Sequence, residues 1–245
     1  MKNKFRLILF ILILPLVCFA EKTVCEYSVH YAGLPVALVK ITLDSTDSLQ
    51  TIAIESTSKG FVSALFSIEN TYVSSCNTSF LPFYFWKTIC QQNVQEKKVV
   101  LFNQKEGSIV VRNVLSSEVD TLRCDNPIHD IVSMTFSLLS DVPKQKYYTC
   151  YGNYRIWQLD AEKSKTVTLS FQKKKYECFE YEIKSEIKYD SKIDSKTDIL
   201  TNNIFKNKGM TYYWVSKEAP HLLLKAKYKR FPFSIYLYMT NIYTQ

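Results

Sequence analysis

The chain has 245 residues, with 31 Lys and Arg against 23 Asp and Glu, a formal charge of +8, and 14% aromatic side chains, 17 of them tyrosines. Its five glycines are scattered and its histidines number three, so the sequence lacks a glycine-rich phosphate cradle and offers little material for a transition-metal centre. The positive charge is distributed along the chain rather than blocked together, which suits solvated sheet faces and not a nucleic-acid groove.

The opening stretch, MKNKFRLILFILILPLVCFAEK, joins Lys2, Lys4 and Arg6 to an apolar run from Leu7 to Phe19 and ends in Cys18-Phe19-Ala20. This is the pattern of a secretory signal peptide, with cleavage expected after Ala20. Val17, not a small residue, precedes Cys18, which argues against a lipid anchor, and the run is short for a membrane span. Residues 21–245 are then expected as a single exported β-rich domain. Cys18 leaves with the signal. Cys25, Cys76, Cys90, Cys124, Cys150 and Cys178 remain, an even set in a compartment where disulfides persist. Cys90 and Cys124 flank a turn near Gly107, and Cys150 and Cys178 flank a turn near Ser164, so these are the candidate pairs; sequence alone leaves other connectivities open.

Period-two alternation dominates from there on. In CEYSVHYAG, Tyr27, Val29 and Tyr31 share one face, and Gly33 with Pro35 marks a turn. LVKITL and TIAIES, separated by DSTDS, read as a hairpin. VVLFNQKEGSIVVRNV is the clearest hairpin, turning at Gly107. CDNPIHDIVSMTFSLL breaks the alternation: Ile128, Ile131, Val132, Thr135, Leu138 and Leu139 fall at helical spacing. Asp125 ahead of Pro127 is read as its cap, with His129 and Asp130 in its first turn. YRIWQLDAEKSKTVTLSF reads as another hairpin and YECFEYEI as a strand. The polar stretch from Tyr189 to Gly209, with its repeated DSK, is expected to be an exposed loop. MTYYWVS, HLLLKAKYKRF and FSIYLYMTNIY give long strands, with Leu222, Leu224, Ala226 and Tyr228 inward and Lys225, Lys227 and Lys229 outward. The fold class is therefore mainly β: a curved antiparallel sheet or half-open barrel with one short helix packed against it.

Chemistry is sparse. Adjacent helical residues point about 100° apart, so His129 and Asp130 do not form a dyad by adjacency. No GxSxG elbow supplies a nucleophile, and no catalytic residue, metal or cofactor is expected. The aromatic clusters are the informative excess. Phe83, Phe85, Trp86, Tyr213, Trp214, Phe233 and Tyr236 are candidates to line an apolar pocket inside a curved sheet, against the alternative of ordinary core and cross-strand packing. Tyr-rich alternating strands also occur in outer-membrane barrels, but the cysteines and outward lysines argue against that reading.

Taken in order, EYSVHYAGLPVALVKITL, ENTYVSSCNTSFLPFYF, HDIVSMTFSLL and MTYYWVSKEAPHLLLKAKYKRFPFSIYLYM resemble the segments of the bacterial domain of unknown function (DUF) 3108 family of exported envelope proteins. Tyr27, Val29, Tyr31 and Gly33 match its opening strand, Asp130 and Ser133 its mid-chain Asp and helix, and Trp214, Val215 and Ser216 its late turn. The stretch from Ala219 to Leu222 and Ser234 depart from its pattern. The resemblance implies placement in the periplasm or at the outer membrane and a single curved sheet, similar at the level of fold to periplasmic lipoprotein carriers. It implies no catalytic residue.

The resulting expectation is a non-enzymatic exported protein that binds a lipid or other amphipathic molecule in the sheet's concavity. Peripheral membrane contact is compatible with it, and no nucleic-acid partner is expected. The alternatives are an assembly partner of another envelope protein, and a hydrolase with a non-obvious site built on His129, His30 or His221.

Overall fold

The computed structural model describes residues 21–60, 62–92, 94–124, 127–140, 147–189, 197–206 and 208–245. The expected signal peptide and the expected Asp125 cap lie outside the described residues. From the N-terminus the chain forms β1 (Glu21–Tyr31), β2 (Leu34–Ser45), β3 (Gln50–Ser58), helix α1 (Val62–Leu65), β4 (Ile68–Cys76), β5 (Pro82–Gln91), β6 (Val94–Asn103), β7 (Ser108–Asn113) and β8 (Val119–Arg123). It continues through β9 (Ile128–His129), α2 (Ile131–Ser140), β10 (Tyr147–Gly152), β11 (Arg155–Phe171), β12 (Lys174–Tyr189), α3 (Ile199–Ile204), β13 (Gly209–Ser216), β14 (Leu223–Tyr228) and β15 (Ile235–Thr244).

All strands belong to one 15-stranded open sheet. Within β1 to β8, and again within β9 to β15, each strand pairs with the next in sequence, so the chain runs outward as one meander from β1 to β8 and returns as a second from β9 to β15. The two meanders meet where β1 pairs with β15, from Thr23↔Thr244 to Tyr31↔Ile235. Every pairing is antiparallel except β9 with β10. The hairpin at Gly107 forms as its sequence predicts: Gly107 adopts φ +62°, and the Asn103 side chain accepts from the Lys105 and Glu106 amides.

The free edges, β8 and β9, are joined by only a few residues. Five Cα steps from Arg123 to Ile128 hold those ends within about 18 Å of each other. Side chains bridge the seam between the β5–β7 wall and the β9–β11 wall. The Gln104 amide donates to the carbonyls of Pro82 and Ile128, at 2.9 and 2.7 Å, and accepts from the Ile128 amide. Phe102 meets Tyr151 edge-on, with ring centroids 6.4 Å apart, and the Lys98 ammonium lies 3.9 Å from the Tyr154 ring centroid. The sheet is thus barrel-like without a closed ladder.

Helix α2 enters this curve at the seam. Asp130 caps it: one Asp130 oxygen accepts from the Val132 and Ser133 amides, and the other accepts from the Ser74 hydroxyl on β4 at 2.6 Å. Ile128 and His129 belong to β9 and not to the helix. The helix buries Ile131, Val132, Met134 and Leu138 in the core, as its spacing predicts. Two further short helices, α1 and α3, were not read from sequence.

Three other expectations are corrected. After Tyr154, the stretch RIWQLDAEKSKTVTLSF is a single 17-residue strand, β11, not a hairpin. The stretch contains no Gly, Pro or Asn to turn it, so it absorbs Ser164 as a bulge, with the Ser164 hydroxyl bonded to the Glu180 carbonyl. The exposed loop from Tyr189 to Gly209 is not wholly exposed: Thr197 and Asp198 are buried, and Ile204 and Phe205 join the core. The Phe205 ring stacks on Trp157 and leaves no room for a side chain at Gly152, where a Cβ would lie 2.2 Å from it. Finally, no disulfide joins the six described cysteines, and neither expected pair is bridged. Cys90 pairs with Glu69 near the β5–β6 connection, whereas the Cys124 amide bonds to Gly107 at the opposite end of the sheet. Cys150 faces Trp157 and Cys178 faces Val167, sites on β11 about 30 Å apart, far beyond disulfide reach.

Candidate functional site

The curved sheet is not filled. A cavity of about 570 Å³ lies within it, walled by β1 to β4 and by β13 to β15, with residues of α1, α2 and α3 also contributing. Its surface is mostly aliphatic: Val29, Val39, Ile41 and Ile54 from the first meander, Leu223 and Leu237 from the second, and Ile131 and Val132 from the helix. The periodicity of the strands accounts for this wall, because residues two apart share a face. Tyr27, Val29 and Tyr31 do share a face as the sequence predicts, and the latter two reach the cavity.

Polar groups are few and placed at the margins. Asn70 and Gln91 line one side and bond to each other at 3.0 Å. Thr135 on α2 and Tyr213 on β13 line another, their hydroxyls 3.4 Å apart. Among the described residues Arg230 is the one charged member of the lining, and it is also solvent-exposed, so the cavity opens beside it.

Of the seven aromatic residues named from sequence, the structure brings only Tyr213 into this cavity. Phe85 is buried elsewhere in the core, and Phe83 is half exposed. Trp86 follows inward Phe85 and precedes inward Lys87, so alternation turns it to the outer face. Trp214 and Tyr236 also lie on the outer face, under Lys225, whose ammonium sits 4.6 and 5.2 Å from their ring centroids. Trp214 donates to Glu180 at 2.8 Å. Phe233 stands outside the opening with its ring edge-on to Tyr31. The reason is general: neighbours along a strand point to opposite sides, so an aromatic cluster in sequence is divided between the faces. The aliphatic wall was legible in the alternating strands, but Arg230 carries no sequence signal that singles it out.

Beside the cavity the interior is charged. Lys87, Glu96, Lys98 and Asp198 are all buried. Glu96 Oε1 lies 2.9 Å from Lys87 Nζ and 2.6 Å from Lys98 Nζ, and Asp198 Oδ2 lies 3.3 Å from Lys87 Nζ. The Tyr72 hydroxyl donates to Asp198 at 2.7 Å, Thr201 donates to it from both its amide and its hydroxyl, and Thr197 donates to Glu96. Burial by itself raises the Asp198 carboxyl, but Lys87 and these hydrogen bonds outweigh burial and hold it below the usual range. Burial likewise opposes the Lys87 charge, yet its two carboxylate neighbours raise it. Lys98 is pushed down to about 8 by burial and by the adjacent Lys87. With two cations against two carboxylates, the cluster is internally paired and its oxygens are occupied.

His129 and Asp130 are not arranged for catalysis. Asp130 spends its oxygens on Ser74 and the helix amides, and burial raises its carboxyl. His129 packs edge-on against Tyr148, and burial pushes its imidazole down to about 4. His30 bonds to Ser28, and His221 to the Ser216 carbonyl, so the histidines lie in separate places. Among the described residues no group of three or more His, Cys, Asp or Glu is placed to hold a metal ion. No helix of the described residues is long and apolar enough to cross a membrane.

Among solved structures, the chain is similar to a β-barrel-like protein of domain of unknown function DUF1849 from Brucella abortus, with TM-score 0.58, 8% identity, and coverage of 92% of this chain and 98% of that one. This likeness shows a shared fold. Weaker likenesses are to a protein provisionally named as exported, with a YmcC-like fold, from Bacteroides fragilis (TM-score 0.38, 9% identity, 90% and 95% covered). Another is to a protein provisionally named a lipoprotein from Parabacteroides distasonis (TM-score 0.36, 12% identity, 90% and 94% covered). No curated protein matches the sequence. Residues 26–240, nearly the whole chain, match the family described as "protein of unknown function (DUF3108)", and the chain belongs to that family.

Proposed function

We propose that this is an exported, non-enzymatic binding protein of the cell envelope that holds an amphipathic molecule, its apolar part in the cavity and its polar head beside Arg230. The observation that carries the reading is an aliphatic cavity of about 570 Å³ whose one charged lining residue among those described, Arg230, is solvent-exposed. That volume is within the range of small-molecule sites, and convergent polar groups at one end are how such sites orient a ligand. The signal-like residues 1–20 support export, and periplasmic or outer-membrane placement follows from that reading. Native mass spectrometry of the mature protein from its own envelope tests the proposal. We expect a lipid-sized adduct that denaturation releases, and saturable uptake of a fluorescent fatty acid by the stripped protein with about micromolar affinity. A clean apo mass together with no saturable uptake would overturn it.

A second reading, assembly with another envelope protein, has one observation in its favour. Edge strand β8 has no hydrogen-bonded neighbour on its outer side among the described residues, and Leu115 before it and Val119 at its start are exposed. If that edge recruits a partner strand, Thr121→Pro abolishes the association and spares fatty-acid uptake.

A further inference from the structure

The connections around the cavity opening form a distinct surface. Register places them together: Tyr31 pairs with both Leu34 and Ile235, and Ala37 pairs with Ser58, so the β1–β2 turn, the β3–α1–β4 connection and the β14–β15 connection all lie at one end. Each projects large apolar side chains into solvent. Phe231 is 93% exposed, Leu65 73%, and Leu34 and Phe233 52% each. Other exposed apolar side chains are spread over the sheet, whereas these four gather at one end, around the cavity opening.

Charge on these segments is of one sign. Lys59, Lys229 and Arg230 lie within them, and residues 32–35, 59–67 and 229–234 contain no Asp or Glu. Exposed aromatic and aliphatic tips beside cations, with no acid among them, are the chemistry of a surface that seats in the headgroup region of an anionic bilayer. Each cation close to such a surface strengthens binding about fivefold, and Phe and Leu tips supply the apolar insertion.

We infer that the rim of the cavity is a docking surface for an anionic phospholipid membrane, seated by Phe231, Phe233, Leu34 and Leu65 and held by Lys59, Lys229 and Arg230. Docked in this way, the opening beside Arg230 faces the lipid, so a molecule with an apolar tail passes between bilayer and cavity without crossing water. The inference stands on the rim alone and does not require that the cavity hold a lipid.

The test is co-sedimentation of the mature protein with vesicles of phosphatidylcholine and phosphatidylglycerol in equal parts, and with vesicles of phosphatidylcholine alone. Binding is expected to the anionic vesicles, to weaken with added salt, and to fall at least tenfold in the double variant Phe231→Ser, Leu65→Ser. Neither of those residues lines the cavity, so fatty-acid uptake in solution and the thermal midpoint stay at the parent values. Lys229→Glu is expected to reduce binding to the anionic vesicles alone. Absence of binding to the anionic vesicles, or equal binding by parent and double variant, overturns the docking surface. Loss of solution uptake in the parent would instead count against the cavity reading, so the two failures are distinguishable. Capture of an envelope protein by the rim with no vesicle binding would assign the surface to a protein partner and overturn the inference.

Discussion

Two parts of the same interior are built on opposite principles. Where β5 and β6 form the wall, Lys87, Glu96 and Lys98 point inward and are neutralised by one another and by Asp198 from the segment before α3. Where β1 to β4 and β13 to β15 form the wall, the inward residues are mostly aliphatic and leave a cavity between them. A charged interior must be closed, because an unpaired buried charge is far more costly than an unfilled apolar space. An apolar interior has no such obligation, and it is the half that remains available to a ligand. Tyr72 joins the halves: its ring lines the cavity and its hydroxyl bonds Asp198.

The largest effect is expected from breaking the charged half. Asp198→Ala takes away a partner of Lys87, Tyr72 and Thr201 together, and should cost about 3–5 kcal/mol in denaturant unfolding. If the loss is within about 1 kcal/mol, the cluster is not closed in the way its distances imply.

Acid should next weaken the seam, where His129 precedes α2. The folded-state pKa of His129 is about 4 and the unfolded value about 6.5. Below pH 6.5 the unfolded chain takes up this proton first, so stability falls as pH drops from 6.5 to 4 and then levels, by at most about 3 kcal/mol. Asp130, whose carboxyl is raised by burial, binds its proton first in the folded state and opposes this trend. The difference between parent and His129→Asn therefore isolates the imidazole: the variant should lose the downward slope when unfolding midpoints are followed against pH.

A smaller loss is expected at the anchor of α3. In Gly152→Ala the new methyl meets the Phe205 ring, which is held on Trp157, so the ring must shift and stability should fall by about 1–3 kcal/mol in thermal or denaturant unfolding. The empty half predicts the smallest change in stability and the largest in binding. Ala37→Phe projects into existing space, so unfolding should move by less than about 1 kcal/mol while fatty-acid affinity drops at least tenfold in a fluorescence titration. If stability falls as far as in Asp198→Ala, the two halves are packed alike and the comparison fails.

Local periodicity carried the fold class a long way. Alternation in CEYSVHYAG, the turn at Gly107, and the inward Leu224, Ala226 and Tyr228 against outward lysines are consequences of strand geometry that a sequence displays directly. The helical spacing from Ile131 to Leu138 is of the same kind. Tertiary structure decided what depends on distant partners. Asp198 looks like a loop residue in a polar DSK-containing stretch, and only its meeting with Lys87, more than a hundred residues earlier, explains its burial. Asp130 caps α2 through the Val132 and Ser133 amides, and its other oxygen is held by Ser74, more than fifty residues earlier on β4. Cys150 and Cys178 lie far apart because β11 continues through an expected turn between them. The cavity itself is the clearest case: the sequence determines which residues face inward, but whether they touch one another or leave room depends on the curvature of the whole sheet, which no local pattern records.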